Sequence, residues 1–333
     1  MDLGAQTVAV TGASGHIGAN LVRALVALGR KVRALVHRRS EGIAGLGVEV
    51  VAAYVLEPAS LTRAFAGVGT VFHLAAKISA GWERARVVWE VGVTGTANVV
   101  EACLAAQVPR LVHMSSIQAL RPAADGAEID ESIGLVEAGD RARGVYDQAK
   151  AEAERIVLAA AGRGLCAVVL NPTAVIGPCD FAPSAIGEFL LALARGRVPA
   201  LIAGASSDFV DVRDVAGAAI AAERKGRSGE RYILTGTRMR LVDFALAWAK
   251  AAGRSAPRLA VPMWLARAVA PVAPMWARLR GRRPLFTSES LRFLRCQPLA
   301  RRIKAERELG FAPRSIEETL RDIRAWMKVQ GWL

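Results

Sequence analysis

The sequence predicts an α/β protein built on a doubly wound parallel sheet, and three observations carry that reading. Strand-like and helix-like patterns alternate along the chain, as they do where helices cover both faces of a parallel sheet. A glycine turn joins the first strand directly to the first helix. Hydrophobic residues make up 53% of the 333 residues, enough for one large unit or a core domain with a smaller partner.

The first strand is the β-branched run Thr7-Val-Ala-Val-Thr11. It feeds into Gly12, Gly15 and Gly18, beyond which Ile17, Leu21, Leu25 and Leu28 recur at helical spacing. Gly12 permits a tight turn, Gly15 lets a pyrophosphate approach the backbone, and Gly18 lets the helix pack against the strand. The helix N-terminus then faces the anion. Ser14, His16 and Ile17 lie in the same turn and are candidate dinucleotide contacts.

The second strand, Lys31-Val-Arg-Ala-Leu-Val-His37, ends in His37, Arg38 and Arg39 with no acidic residue among them. An adenosine 2′-hydroxyl is normally met here by a carboxylate, whereas a 2′-phosphate wants cations. The expected cofactor is therefore NADP(H), with NAD(H) as second choice. The plainer alternative leaves these arginines in water.

A third strand, Val48–Tyr54, and the segment Leu56–Leu61 precede a short helix. The fourth strand, from Thr70, ends in Leu74-Ala75-Ala76, where small side chains let a cofactor lie close to the backbone. A helix is expected from Trp89 to Ala106, and Pro109 ends the connection to a fifth strand, Arg110–Ser116.

Tyr146 and Lys150 stand four apart in Tyr-Asp-Gln-Ala-Lys, so a helix puts them on one face, with Ser116 upstream at the strand end. A ketone that accepts hydride needs a proton at the developing alkoxide. A tyrosine is too weakly acidic for this unless a cation lowers its pKa from about 10. Lys150 is expected to do so and to hold the nicotinamide ribose, while Ser116 donates a hydrogen bond to the carbonyl oxygen.

Other residues carry plainer readings. His73, inside an apolar strand, is expected to be structural, packed beside the cofactor. Lys77, Trp82 and Trp89 follow the fourth strand and either line an apolar pocket or simply pack. Asp211, Arg213 and Asp214 are expected to form a local ion network without a catalytic role.

Net charge is +14, and residues 251–333 hold 17 Lys and Arg against 6 Asp and Glu. No nucleic-acid-binding motif accompanies this excess, so a solvated basic face is the preferred reading and a weak membrane-surface contact the alternative. Cys103, Cys166, Cys179 and Cys296 match no metal or disulfide spacing, so no metal is expected. With no basic and apolar leader at Met1–Gln6, a reducing cytoplasm is the expected location. The run Val261–Trp276 is apolar but broken by Arg267, Pro262, Pro271 and Pro274, so it does not read as a spanning helix. It is expected to cap a substrate cleft or to rest on a membrane beside Arg278, Arg280, Arg282 and Arg283.

The chain resembles the extended short-chain dehydrogenase/reductases over nearly its whole length. The motifs are Thr11–Gly18, His73–Ala76, Gly95-Thr-Ala-Asn98, Ser115-Ser116, Tyr146–Lys150, Asn171-Pro172 with Gly177-Pro178, and Phe209–Ala216. The tail Ala305–Phe311, Pro313 and a helix from Ser315 to Met327 are most similar to the dihydroflavonol reductase and 3β-hydroxysteroid dehydrogenase-like branch. The resemblance implies a Rossmann core over 1–176 and a smaller, mainly helical substrate lobe over 177–333, with 209–236 returning to the core. It adds Pro172 and Thr173 to the cofactor contacts.

The departures from that pattern are informative. Gly92 stands where many members have an asparagine that orders the active-site water, Asn171-Pro172 replaces Arg-Pro, and Tyr54 replaces an aspartate near the adenine. Ala174 stands where the nucleotide-sugar epimerases have an asparagine, and Ile117-Gln118-Ala119 lacks the acidic residue of the dehydratases. The expected partner is a small-molecule carbonyl or alcohol, reduced or oxidised at carbon; a homodimer is compatible with the sequence. A nucleotide-sugar epimerase or dehydratase is the first alternative and a non-catalytic dinucleotide sensor the second.

Overall fold

The computed structural model describes residues 6–78, 83–123, 127–140, 142–255, 257, 259–270, 291 and 299–333. Its centre is a seven-stranded parallel sheet. The strands are β1 (Thr7–Thr11), β2 (Val32–Val36), β3 (Glu49–Ala52), β4 (Val68–His73), β5 (Arg110–Met114), β7 (Cys166–Pro172) and β11 (Arg231–Leu234), with the two-residue β6 (Glu128–Ile129) lying outside it. Their order is β11-β7-β5-β4-β1-β2-β3, so the chain reverses direction across the sheet between β1 and β4. In a doubly wound sheet that reversal opens a crevice at the carboxyl ends of the strands.

Both faces are covered, which is why the strands are apolar almost throughout. Val8, Val10, Phe72, Val112 and Leu170 point to the face packed by α1 (His16–Ala27) and α7 (Val212–Lys225). Ala9, Val71, Leu111 and Val169 point to the opposite face, under α2 (Pro58–Phe65), α4 (Gly95–Ala105) and α5 (Val145–Ala161). A buried fork ties the first face together: Arg30 donates to both oxygens of Glu223 at 2.9 and 3.0 Å, joining the end of α1 to α7.

The helix expected over Trp89–Ala106 begins earlier and is not uniform. It comprises α3 (Ala85–Trp89), a π-helical turn at Glu90–Thr94, and α4. At this turn Thr96 donates to the Gly92 carbonyl at 2.6 Å, and a β-carbon on Gly92 would lie 3.4 Å from that of Ala149 on α5. Gly95 is pressed onto Val55, where an added β-carbon would come within 2.7 Å. Two glycines thus let this helix lie close to α5 and to the loop after β3. The third strand is shorter than expected, and the fifth ends at Met114, leaving Ser115 and Ser116 beyond the sheet's regular edge.

A second core lies beyond β7. It includes a mixed sheet of β8 (Ala174–Ile176), β10 (Ser206–Asp211) and β12 (Thr237–Arg240), and the pair β9 (Leu201–Ala203) with β13 (Ala260–Pro262). Around these pack α6 (Ala185–Ala194), α8 (Leu241–Ala252), α9 (Met263–Val269) and the last helix, α11 (Ile316–Val329). Trp248, fully buried, donates from its indole to Leu190 O at 2.8 Å, and Phe209 stacks on Phe244 at 3.9 Å. The tail also crosses back: β14 (Leu299–Ala300) pairs with β6, while Ala305 and Leu309 of α10 (Ile303–Leu309), with Phe311, enter the core beside α7.

The expected ion network is present and spans the two cores. Arg213 binds Asp211 at 2.7 Å and Asp322 of α11 at 2.6 Å, while Arg314 binds Asp214 at 2.9 Å. Among the described residues no helix is long and apolar enough to cross a membrane. Of the run Val261–Trp276, residues 261–270 form the end of β13 and α9; Pro271, Pro274, Trp276, the arginines at 278–283, Cys296 and Trp82 lie outside the described residues.

Candidate active site

The glycine turn is built by contacts that no side chain could share. Gly12 has a φ of +68°, and a β-carbon there would lie 2.8 Å from the amide nitrogen of Ala75. A β-carbon on Gly18 would overlap the Gly12 carbonyl oxygen, so α1 can start this close to β1 only with glycine. Gly15 caps α1, is exposed, and would meet only the Gly12 carbonyl at 3.2 Å. The first amides of α1, which have no partner within the helix, therefore open onto a bare backbone surface. That cradle fits a pyrophosphate.

Around it stand the other expected cofactor residues. Leu74, Ala75 and Ala76 leave β4 half-buried beside Gly12, and Ser14 and Ile17 are half-buried in the turn. His37, Arg38 and Arg39 follow β2 and are exposed; the His37 ring stacks on Tyr54 at 3.9 Å with 9° between planes. Pro172 ends β7, and the Thr173 hydroxyl donates to Asp208 at 2.8 Å, so this side chain is engaged within the protein. His16 turns away from the cradle: its Nε2 lies 3.2 Å from the carbonyls of both Gly177 and Pro178. Lys77 pairs with Glu83 at 3.0 Å, and Trp89 is exposed.

Ser116, Tyr146 and Lys150 come together just past the carboxyl end of β5. The Ser116 and Tyr146 side chains are hydrogen-bonded to each other. Gln118 N donates to Ser116 Oγ at 3.2 Å, which leaves the serine O–H free to donate. Lys150, buried one helical turn beyond Tyr146, donates from Nζ to Met114 O at 2.7 Å. Burial brings its ammonium down to about 8, with Glu154 acting in the opposite direction.

The expected lowering of the tyrosine is not found in this arrangement. Burial pushes the Tyr146 phenol up to about 12; the hydrogen bond with Ser116 opposes this, and the nearby Asp147 charge adds to it. Burial thus holds the phenol in its protonated form, as a weaker acid than a free tyrosine.

His73 takes the structural role expected of it. Thr96 Oγ1 spends its proton on Gly92 O at 2.6 Å, so it can only accept from His73 Nε2 at 3.0 Å. The other ring nitrogen then accepts from Thr11 Oγ1 at 2.8 Å, and that oxygen receives the amides of Leu74 and Ala75, each at 3.2 Å. The chain of bonds runs from the π-turn to the backbone under the cradle, and it requires a neutral imidazole. Burial, with Lys150 nearby, takes His73 down to about 3.

Two parts of the site escape a reading of the sequence. Arg143, buried, donates to Gln118 O at 3.0 Å and pairs with Asp147 at 3.0 Å, clamping the start of α5 to the Ser116 loop. Their spacing of four residues was the available signal. Glu154 is buried beneath Lys150 and accepts from Ser115 Oγ at 2.6 Å and Asn171 Nδ2 at 2.7 Å. In the sequence it looks like one more charge on a polar helix.

The chain is similar to known proteins over nearly its full length. The chain is 36% identical over 332 residues to sterol demethylase protein B of Methylococcus capsulatus, covering 98% of this chain and all of that one. It is 32% identical to the 4-hydroxy-2-methyl-3-oxo-4-farnesyl-3,4-dihydroquinoline-1-oxide ketoreductase of Stigmatella aurantiaca, covering 92% and 91% of the two chains. The crystal structure of gox2253 superposes with a TM-score of 0.84 at 31% identity, covering 98% of this chain and 99% of that one. The pattern of the NAD dependent epimerase/dehydratase family matches residues 8–234, from β1 through the cradle and the Ser116–Tyr146–Lys150 cluster to β11. With the fold, the glycine turn and the hydroxyl pair all inside that match, the chain is an NAD(P)-dependent oxidoreductase and belongs to the NAD dependent epimerase/dehydratase family.

Proposed function

We propose that this protein reduces the carbonyl group of a bulky apolar small molecule with NADPH, or oxidises the corresponding alcohol. The observation that carries the reading is the mutual hydrogen bond of Ser116 and Tyr146 at the end of β5, with Lys150 one helical turn further along. When bound, the reduced nicotinamide supplies the hydride. Ser116 turns its O–H from the Tyr146 oxygen to the carbonyl oxygen and orients it, and Tyr146 gives its proton to that oxygen as negative charge develops there. Lys150 keeps two N–H donors beyond the one spent on Met114 O, and these hold the nicotinamide ribose. The cradle of Gly12, Gly15 and Gly18 holds the pyrophosphate, and Leu74, Ala75 and Ala76 form its floor. Arg38, with Arg39, meets the adenosine 2′-phosphate, while His37 on Tyr54 offers a flat face beside it.

The substrate class draws on the relatives, whose names point to a sterol and to a farnesylated quinoline ketone. Ala174 and Ile117-Gln118-Ala119 argue against sugar-nucleotide chemistry, for they lack the polar groups that epimerases and dehydratases place there. The test offers NADPH with a panel of fused-ring and long-chain ketones beside a panel of nucleotide sugars. Oxidation of NADPH with the ketones alone is expected; turnover only with the sugars overturns the reading.

A further inference from the structure

Along α5, Tyr146, Lys150 and Glu154 succeed one another at single-turn spacing. The Glu154 side chain is wholly buried, yet polar groups meet both of its oxygens. Ser115 and Asn171 donate to one oxygen, and Arg231 Nε lies 3.0 Å from the other. Asn171 also donates to Ser116 O at 3.1 Å, so the same carboxylate is tied to the residue that meets Tyr146. A buried acid in a helix is costly unless paired and hydrogen-bonded. These donors explain how it is tolerated; an amide would keep the Ser115 and Asn171 bonds but not the pair with Arg231.

The surroundings of Lys150 supply the reason for a charge. From β5 and β4, His113 and His73 face this layer, and both are held neutral by burial. On α5 itself, Asp147 is paired with Arg143 and Glu152 with Arg155. From the π-turn, Glu90 is paired with exposed Arg86. Arg231, from β11, is engaged by Glu154. Among the described residues, Glu154 is the buried acid one helical turn from Lys150 on α5; burial raises its carboxyl, while Arg231, the Ser115 and Asn171 hydrogen bonds and the Lys150 charge favour the carboxylate.

We propose that Glu154 is a positioning residue whose buried carboxylate keeps Lys150 as the ammonium, seated on the Met114 carbonyl, while the enzyme turns over. This rests on the reading of Lys150 as part of the reaction site. The Glu154–Arg231 pair gives it a sign. Glu154→Gln leaves the guanidinium unopposed, so Lys150 must lose its proton at lower pH than in the wild type. Arg231→Met leaves the carboxylate unopposed, so Lys150 must hold its proton to higher pH. A carboxylate that merely fastened α5 would weaken the fold in both variants and move the lysine titration in neither.

The experiment follows the Lys150 ammonium directly, by NMR of the full chain labelled at lysine Cε, with Lys150→Met identifying the signal. The expected order of midpoints is Arg231→Met above wild type and Glu154→Gln below it, with separations of about one pH unit. The double variant, which carries no unpaired charge, should fall between wild type and Glu154→Gln, and it serves if the single variant does not fold. The alkaline limb of kcat/KM for carbonyl reduction should move in the same order. Coincident midpoints in wild type and the Glu154 variants overturn the proposal. Failure of the functional reading shows separately, as undiminished turnover of Tyr146→Phe, whatever the lysine titration does.

Discussion

Replacing Tyr146 by phenylalanine removes the hydroxyl that Ser116 holds, and with it the proton donor. Carbonyl reduction should fall by about 10²- to 10⁴-fold while the dissociation constant for NADPH changes little. Stopped-flow turnover and cofactor titration on one preparation check both halves. Lys150 carries a prediction for stability. Its ammonium sits at about 8 in the fold against 10.5 for an exposed lysine, so between those pH values the unfolded chain binds more protons. Stability must then rise with pH across that window. Chemical denaturation of wild type against Lys150→Met should show the wild type gaining on the variant as pH increases. At the edge of the cradle, Arg38→Ala should weaken NADPH and leave NADH nearly untouched. One charge-assisted hydrogen bond corresponds to about 10- to 150-fold in that ratio. Equal binding of the two dinucleotides by the wild type would sink the choice of cofactor.

Elements were legible where one period ran without interruption. β1, β2, β4 and β5 showed in the sequence because burial on both faces leaves mostly apolar residues. α8 carries Leu241, Phe244, Ala245 and Trp248 at helical spacing on its buried side. The π-turn did not show, since one slipped hydrogen bond leaves the apolar pattern of residues 85–105 intact. Only contact with Ala149 and Val55 reveals why Gly92 and Gly95 are there. The two- to four-residue strands β6, β8, β9, β12, β13 and β14 are too short to display a period, and long-range pairing defines them. The site divides in the same way. Ser116, Tyr146 and Lys150 were readable from spacing, but the row Thr11, His73, His113 exists only in the register of three adjacent strands. A test at this scale is Glu223→Ala, which strands the buried Arg30 guanidinium between α1 and α7. It should cost about 3–5 kcal/mol of folding stability, measured by urea denaturation.

Taken whole, the molecule is closed by its own tail. Phe311 follows α10 and is buried against the helices that cover β1, although more than 300 residues separate it from that strand's first residue. Phe311→Ala should lower stability by about 3–5 kcal/mol, a thermal shift readable by calorimetry, without altering the lysine titration of the site. The basic excess of the last quarter is partly spent on the same closure, since Arg301, Lys304 and Arg314 reach Glu128, Glu230 and Asp214.

The turn of α1 that opens onto the cradle is also moored on its other side. His16 Nε2 reaches the carbonyls of Gly177 and Pro178, and Asn20, one helical turn later, donates to Pro178 O at 3.0 Å. The helix that opens onto the cradle is therefore hydrogen-bonded to the loop that leads into α6. Filling the cradle should then protect the amides of residues 177–184 from hydrogen exchange, a protection that exchange measured with and without NADPH checks. In kinetic language, the dinucleotide should bind first and set the shape that the second substrate meets.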